Sequence, residues 1–316
     1  MEGELKQNML EHRRWMIQET IRTPCNGCGH ADFRQITEEN GLPIVACRRC
    51  ALVSVRPRPT EAELKRFYAQ YLESGAEQLW RRATEAMLQR DARRLARCFP
   101  AAGELLDVGC GFGFFLELMR ARGWRVNGCD ASAAAVDHAR NRLQPASVRL
   151  GAFHELDWPP ARFDLITFWY VLHHLADPRR ALETAYAALR PGGLVAVRVP
   201  NLTLFQLLWL LKRFDSPPLR RLLEAIRKDT GSSNSPYNVL DPPVHLFGFT
   251  RTTLGHLLGS TGFQVTAVFN DGMVARGSWF NRLIDQSLTG LADLVLALTR
   301  SRLDLSICFS IYARKI

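Results

Sequence analysis

The sequence lacks the features that would send it out of the cell or into a bilayer. Its first twenty residues, MEGELKQNMLEHRRWMIQET, mix acids, bases and polar side chains, with none of the apolar core of a secretory signal. The longest nearly apolar stretch, Leu202 to Leu211, is interrupted by Thr203 and Gln206. It falls far short of the ~20 residues a spanning helix needs. Disulfide spacing is missing too: of eight cysteines, four stand in two close pairs and four are scattered, at Cys98, Cys110, Cys129 and Cys308. These absences fit a reducing, cytoplasmic setting. No internal repeat or long low-complexity tract is present. Lysine is scarce as well, supplying five of the 41 basic residues, so the net charge of +10 rests on arginine. Such a balance favours acidic partners: phosphorylated substrates, anionic lipid headgroups or nucleic acid. Charge alone does not choose among them.

The 316 residues leave room for one large domain and a small one. Residues 25–50, CNGCGHADFRQITEENGLPIVACRRC, follow the pattern C-x2-C-x18-C-x2-C. Two knuckles of this spacing bring Cys25, Cys28, Cys47 and Cys50 together as four thiolates, which suits a structural Zn2+ in a zinc ribbon. A closed site of four cysteines keeps no open position for catalysis. The apolar runs LPIVAC and ALVSV predict strands beside the second knuckle, and Thr60 with Glu63 three residues later predicts a capped helix start. The expected boundaries are an N-terminal segment and ribbon over 1–60, a helical linker over 61–98 and a large domain over 99–316.

Many zinc ribbons bind nucleic acid, and the linker RRATEAMLQRDARRLAR is arginine-rich. Against that use, the segment between the knuckles carries Asp32, Glu38 and Glu39 with only Arg34, and few aromatic rings for base stacking. The arginine helix reads more simply as a solvated face.

Beyond residue 99 strands and helices alternate. Predicted strands cover 104–108, 125–129, a stretch near Val148, FDLITFWYV and GGLVAVRVP, and helices separate them. This pattern predicts an α/β fold, a doubly wound, mostly parallel seven-stranded sheet with helices on both faces. The rhythm breaks at about 201–244, read as a helical cap insertion over the active site. It resumes with a helix after Thr250, the strand FQVTAVF, a helix of about 280–299 and the strand LSICFSIYARKI. In that last helix Leu283, Ile284, Leu288, Leu291, Leu294, Val295 and Leu298 recur at helical spacing. With LFQLLWLL they make either core or dimer packing, or a surface for peripheral contact with the inner face of the membrane.

After the first strand of the large domain comes LLDVGCGFGFF. A dinucleotide fingerprint asks for G-x-G-x-x-G, and Phe114 occupies the third glycine's place, which weakens a nicotinamide reading. What stands there is D-x-G-x-G-x-G, formed by Asp107, Gly109, Gly111 and Gly113, with a second acid, Asp130, ending the next strand. Glycines allow backbone to approach a ligand, the helix amino terminus offers N–H groups to a carboxylate, and an acid can accept from both ribose hydroxyls. Those needs describe S-adenosylmethionine, which has no pyrophosphate to cradle.

The chain resembles the class I S-adenosylmethionine-dependent methyltransferases, and most of all their bacterial small-molecule branch with an N-terminal zinc ribbon. The resemblance rests on CNGCG…CRRCALVSVRPRPTEAELKRFYAQYL, LLDVGCGFGFFLELMRARGWRVNGCDAS, FDLITFWYVLHHLADPRRALETAYAALRPGGLVAVRVPN and HLFGFTRTTLGHLLGSTGF, in the family's order. It implies a Rossmann-like methyltransferase whose cofactor loop is Asp107, Gly109, Gly111 and Gly113, with Asp130 on the ribose. Many relatives carry an acid near the adenine where this chain has Ala152, so adenine would rely on backbone near Phe153 and on apolar packing. Relatives often read V-L-E-H-L where this chain has Val171, Leu172, His173, His174 and Leu175. The acid is replaced by His173 while His174 matches, and His245 aligns with a family histidine after the cap.

Methyl transfer is an in-line displacement that depends on holding the nucleophile roughly 3 to 3.5 Å from the methyl carbon. A hydroxyl acceptor must also lose a proton, a task suited to histidine. His173, His174 and His245 are the catalytic candidates; for each the alternative is a structural role, capping a turn, packing under the cofactor or anchoring the cap. Trp169 and Tyr170 offer aromatic faces for a sulfonium or simply fill the core. By resemblance the acceptor is a small-molecule or lipid-linked intermediate, sugar, polyketide-like or quinone-like, and O-methylation is the first expectation. The alternative is an RNA-binding or RNA-modifying zinc-ribbon protein of the same fold. It is weakened because no Asn/Asp-Pro-Pro-Tyr type signature follows the fourth strand, which reads FWYVLHHL.

Overall fold

The computed structural model describes residues 17–69, 77–143, 147–227, 237–272, 290–299 and 304–316. Seven strands form the central sheet: β6 (Glu104–Val108), β7 (Arg125–Asp130), β8 (Ser147–Leu150), β9 (Phe163–Trp169), β10 (Leu189–Pro200), β12 (Phe263–Asp271) and β13 (Cys308–Lys315). Their order is β12-β13-β10-β9-β6-β7-β8. The ladders from β8 to β10 are parallel, and only β13 runs against its neighbours. The expected doubly wound, mostly parallel sheet is therefore present. From β6 the chain winds outward to β7 and β8, then returns to build β9 and β10 on the other side. That reversal places a crevice above the carboxyl ends of β6 and β9, where open α/β sheets bind ligands.

Period-two alternation divides the core between the two faces. Leu106, Ile166 and Val197 join one apolar cluster, while their neighbours Leu105, Leu165 and Ala196 join the other. The first face is covered by helices α5 (Pro178–Ala188) and α8 (Arg251–Ser260), the second by α2 (Glu77–Ala96), α3 (Phe114–Arg120) and α4 (Ala133–Arg142). Side-chain caps start several of them: Ser132 Oγ accepts from Ala135 N, Asp177 from Arg180 N, and Thr250 and Thr253 close a capping box. Thr60 likewise accepts from Glu63 N at 3.2 Å and begins α1 (Glu61–Ala69).

In the cysteine segment β2 (Phe33–Glu39) and β3 (Leu42–Cys47) form a hairpin, with Asn40 and Gly41 both at positive φ. Asn-Gly at this position is the preferred two-residue turn. Strand β4 (Val53–Val55) adds to β3, and β11 (Phe247–Gly248) from far along the chain adds to β4. The ribbon sheet thus includes a strand that follows the cap. The short strands β1 (Thr20–Ile21) and β5 (Arg58–Pro59) pair beside it.

The expectation of a solvated face for the arginine helix needs correction. Asp91 on α2 is fully buried and accepts two bonds from Arg198 on β10, at 2.7 and 2.6 Å. Arg90 and Arg94 reach Asp271 at the end of β12, at 3.0 and 2.6 Å. Arg198, itself fully buried, also reaches Asp271 at 2.9 Å. Ion-pair partners for these buried groups come from α2, and desolvated charges demand such pairing. A helix of this composition reads as exposed only while its partners on distant strands are unknown.

The cap contains α6 (Leu202–Leu210), capped by Asn201, and α7 (Pro217–Arg227). Residues 228–236 of the predicted cap loop lie outside the described residues, as do Leu283, Ile284 and Leu288 of the predicted late helix. Its described end, 290–298, is helical, with Leu291, Leu294 and Leu298 exposed. Among the described residues no helix is long and apolar enough to cross a membrane.

Candidate functional site

A cavity of about 350 Å³ opens above the carboxyl ends of β6, β7 and β9. Its floor is the turn from Asp107 to Gly113. Gly109 sits at φ +67, and a Cβ there would stand 2.4 Å from Val171 Cγ2, so the close approach of two loops fixes glycine at this position. Gly111, at φ +51, donates its N–H to Asp130 Oδ2 at 2.8 Å, and Ser132 N donates to Oδ1 at 2.9 Å. Gly113 carries φ +78 as the amino-terminal cap of α3. Phe114, in place of a third glycine, opens α3 and is covered by the Arg81 guanidinium.

Asp107 is buried and Asp130 half-buried in the cavity wall, and among the described residues neither has a cationic partner. Asp107 accepts from Thr167 Oγ1 at 2.6 Å. Burial, with Asp130 nearby, pushes its carboxyl up to about 7, and burial also raises Asp130 above the usual carboxylate range. On the far side, Phe153 packs against Phe168 and Trp158, and its carbonyl accepts from Trp158 Nε1 at 2.9 Å. Ala152 and Phe153 both line the cavity.

The opposite wall holds Trp169, Tyr170 and His174. Tyr170 adopts φ +59, a conformation costly for an aromatic residue. Its N–H donates to Arg198 O at 3.0 Å and its hydroxyl to Gly272 O at 3.3 Å, bonds that hold the strained turn. His174 Nδ1 lies 2.6 Å from Val244 O and 3.0 Å from Tyr68 Oη, and the Tyr68 hydroxyl donates to the same carbonyl at 2.9 Å. His173 and His245 stand behind His174, with ring centroids 4.1 and 4.9 Å from it and 4.8 Å from each other. Burial, followed by the neighbouring His245, lowers His174 to about 3. Burial and both neighbours take His173 well below its ordinary value. Of the three, His174 alone lines the cavity.

The four cysteines converge as their spacing predicts. Cys25 and Cys50 Sγ are 3.5 Å apart, Cys28 and Cys47 Sγ 3.6 Å, and all four sulfurs lie within 4.8 Å of one another. Tetrahedral Zn–S bonds of about 2.3 Å place sulfurs about 3.8 Å apart, so the donor set fits zinc. Gly27 N donates to Cys25 Sγ at 3.3 Å, and Arg179 of α5 donates to the Asn26 carbonyl at 2.9 Å, docking this knuckle on the large domain.

Three contributors escape sequence reasoning. Tyr68, Val244 and Glu39 bear on the histidines across long stretches of chain. Glu39, at the tip of the ribbon hairpin, accepts the N–H groups of Val239, Leu240 and Asp241 at 2.5, 3.0 and 2.9 Å. Asn40 donates to Asp241 Oδ1 and to Pro242 O. The ribbon thereby grips the loop that delivers Val244 and His245. In the sequence Glu39 counts only as an acid set against nucleic-acid binding, which gives no signal of this. Replacing Glu39 by alanine strands three donors, and at about 1–3 kcal/mol for a bond to a charged group the expected loss is at least about 3 kcal/mol of stability. Urea denaturation checks it; an unchanged midpoint would contradict the grip.

Residues 79–268, more than half of the chain, match the family model described as a methyltransferase domain. The chain belongs to this methyltransferase family. A probable S-adenosylmethionine-dependent methyltransferase of Mycolicibacterium smegmatis is 34% identical over 125 residues, 40% of this chain and 47% of that protein. A malonyl-[acyl-carrier protein] O-methyltransferase of Serratia marcescens is 36% identical over 113 residues, covering 35% and 44%. A ubiquinone biosynthesis O-methyltransferase of Coxiella burnetii is 33% identical over 93 residues, covering 28% and 40%. The chain spans less than half the length of these curated relatives. An S-adenosylmethionine-dependent methyltransferase structure from Mesorhizobium loti aligns with a TM-score of 0.46 at 21% identity, covering 74% of this chain and 98% of that one. The matched family segment contains the glycine turn, Asp130, the paired histidines and His245.

Proposed function

We propose that this methyltransferase uses S-adenosylmethionine to methylate an oxygen of a small-molecule or lipid-linked biosynthetic intermediate. The observation that carries the reading is the pair of carboxyls, Asp107 buried and Asp130 half-buried, flanking a positive-φ glycine turn at the switch point with no cationic partner among the described residues. In this reading Gly109, Gly111 and Gly113 let the backbone approach the cofactor's amino-acid end, Asp130 accepts from the ribose, and the wall at Phe153 packs on the adenine. Bound there, the cofactor supplies an electrophilic methyl group on a sulfonium. Trp169 and Tyr170 offer it aromatic faces. The histidine wall, through His174, handles the proton a hydroxyl acceptor must lose, with His173 and His245 behind it. The relatives named as O-methyltransferases support oxygen as the acceptor atom. Cys25, Cys28, Cys47 and Cys50 hold a structural Zn2+ that keeps the ribbon, and through Glu39 the histidine loop, in place.

The carboxylate pair gives the reading a pH signature. Asp107 is raised to about 7, so below that pH it carries a proton that a cationic ligand displaces. Affinity for the cofactor is therefore expected to rise with pH between about 4 and about 7, by up to about tenfold per unit for one proton released. Titration calorimetry at pH 6, in two buffers of different ionisation enthalpy, measures that proton. Equal heats in both buffers would contradict the assignment.

Exposed Leu207, Leu210 and Phe214 lie beside Lys212 and Arg213 on the cap. An apolar patch next to cations supports a cytoplasmic enzyme that meets a lipid-linked acceptor at an anionic membrane surface. Co-sedimentation with anionic liposomes at low salt is expected and should fall in the Leu207→Ser/Leu210→Ser protein. No sedimentation would rule out the membrane contact and leave a soluble acceptor.

A further inference from the structure

We propose that Glu61 and His154 read the nucleobase of the cofactor, accepting the N–H groups of a 6-aminopurine. The assignment rests on the methyltransferase reading, which sets the adenine against Phe153. Both residues line the cavity, beside Ala152 and Phe153. His154 stands in the short turn Phe153–Glu155, and Glu61 in the first turn of α1. Glu61, Leu64, Lys65 and Tyr68, spaced i, i+3, i+4 and i+7, all line the cavity, so one face of α1 forms part of its wall.

His154 supplies the independent observation. Its side chain is 5% exposed, and among the described residues neither ring nitrogen has a hydrogen-bond partner. Buried polar groups are almost always hydrogen-bonded, so a ring with two orphaned nitrogens in a cavity wall points to a ligand. Glu61 does not meet the need alone. Its Oε2 lies 3.6 Å from His154 Nε2, beyond hydrogen-bond length, and closing that gap serves one nitrogen only. A neutral imidazole carries one N–H and one lone pair, and a carboxylate only accepts. Whichever nitrogen holds the proton, the other keeps a lone pair that Glu61 cannot satisfy.

The surroundings of the pair select an amine. Glu155, next in the turn, is taken by Lys65 Nζ at 2.8 Å, a contact that also ties α1 to the turn. Tyr68, farther along the same face, donates to Val244 O at 2.9 Å. These contacts fix α1 across the cavity, while the Glu61 side chain, 40% exposed, is left to turn toward a ligand. A carboxylate oxygen and an imidazole lone pair both accept, and an exocyclic amine brings two N–H donors on one nitrogen. A carbonyl at the same place, as in a 6-oxopurine, sets oxygen against the carboxylate. His154 can present its N–H to that oxygen; Glu61 has none to present.

The test is calorimetry of the full-length protein with S-adenosylhomocysteine, its 6-oxo analogue S-inosylhomocysteine and the analogue whose purine has no 6-substituent. Wild type is expected to prefer the amine over the 6-oxo group by about a hundredfold, less than a fully enclosed site achieves because Glu61 is half-exposed. Loss of the amine altogether should cost about tenfold. In Glu61→Gln the amide can donate to the 6-oxygen, so the first ratio should fall at least about tenfold. In His154→Phe the amine should no longer matter, and the adenine and unsubstituted ligands should bind alike. A merely structural role for either residue weakens all three ligands together and leaves the ratios where they were, and thermal melts check that both variants fold. Wild-type affinities for the three ligands within about threefold of one another, or wild-type ratios in both variants, would overturn the assignment while leaving the cofactor reading intact. Binding of none of them by wild type would overturn both.

Discussion

Replacing Arg198 by methionine is expected to cost about 3–5 kcal/mol, the range for removing one partner of a buried ion pair. Arg198 is fully buried and lies between Asp91 and Asp271, with its guanidinium over the Trp169 ring. Without it Asp91 is left in the core with Arg94 as its nearest cation, at 3.9 Å. Asp271 fares better, because Arg90 and Arg94 remain. Burial alone would raise the Asp271 carboxyl, but Arg198, Arg90 and Arg94 overcome that and hold it below its ordinary value. A depressed carboxylate adds stability that is present above its unfolded value and is lost as pH falls through the folded one. The variant should therefore be least stable relative to wild type near neutral pH, with the difference shrinking in acid. Urea denaturation at pH 7 and pH 4 measures both; a loss below about 1 kcal/mol at pH 7 would mean that the cluster is energetically neutral. The change should also reach the cavity, since Arg198 O holds the strained turn at Tyr170.

Substituting Asp130 by alanine is expected to weaken S-adenosylmethionine binding by about two orders of magnitude, near 3 kcal/mol, while the chain stays folded. Two effects add. In the proposed binding mode the ribose loses a charged acceptor, and Gly111 N and Ser132 N lose the oxygens that set the glycine turn. Asp130→Asn keeps the shape and one acceptor, so its loss should be smaller. Calorimetry with a thermal melt as control decides it: an unchanged affinity in the alanine protein would refute the ribose assignment.

The fold was largely legible because its signals are local. Alternating runs such as LLDV and FDLITFW, the cap at Thr60, and the glycine turn each act within a few residues of themselves. The four cysteines were legible for the same reason, since their spacing encodes the knuckles. Pairings across the chain were not. Nothing near Asp91 announces Arg198, 107 positions away, and nothing near Glu39 announces Val239, 200 positions away. Charged residues in a helix or a turn read as solvated unless a distant partner claims them. His173 is the informative middle case: its place in the VLHHL stretch drew notice, while its burial against His245 depended on the strand that joins the ribbon sheet.

The central claim is that the glycine turn and its two carboxylates bind S-adenosylmethionine. Titration calorimetry of the purified protein with S-adenosylmethionine and, separately, with NADH tests it most directly. One saturable site for S-adenosylmethionine, lost in the Asp130→Ala protein, and no heat from NADH is the predicted result. Binding of NADH alone, or of neither ligand, would contradict it.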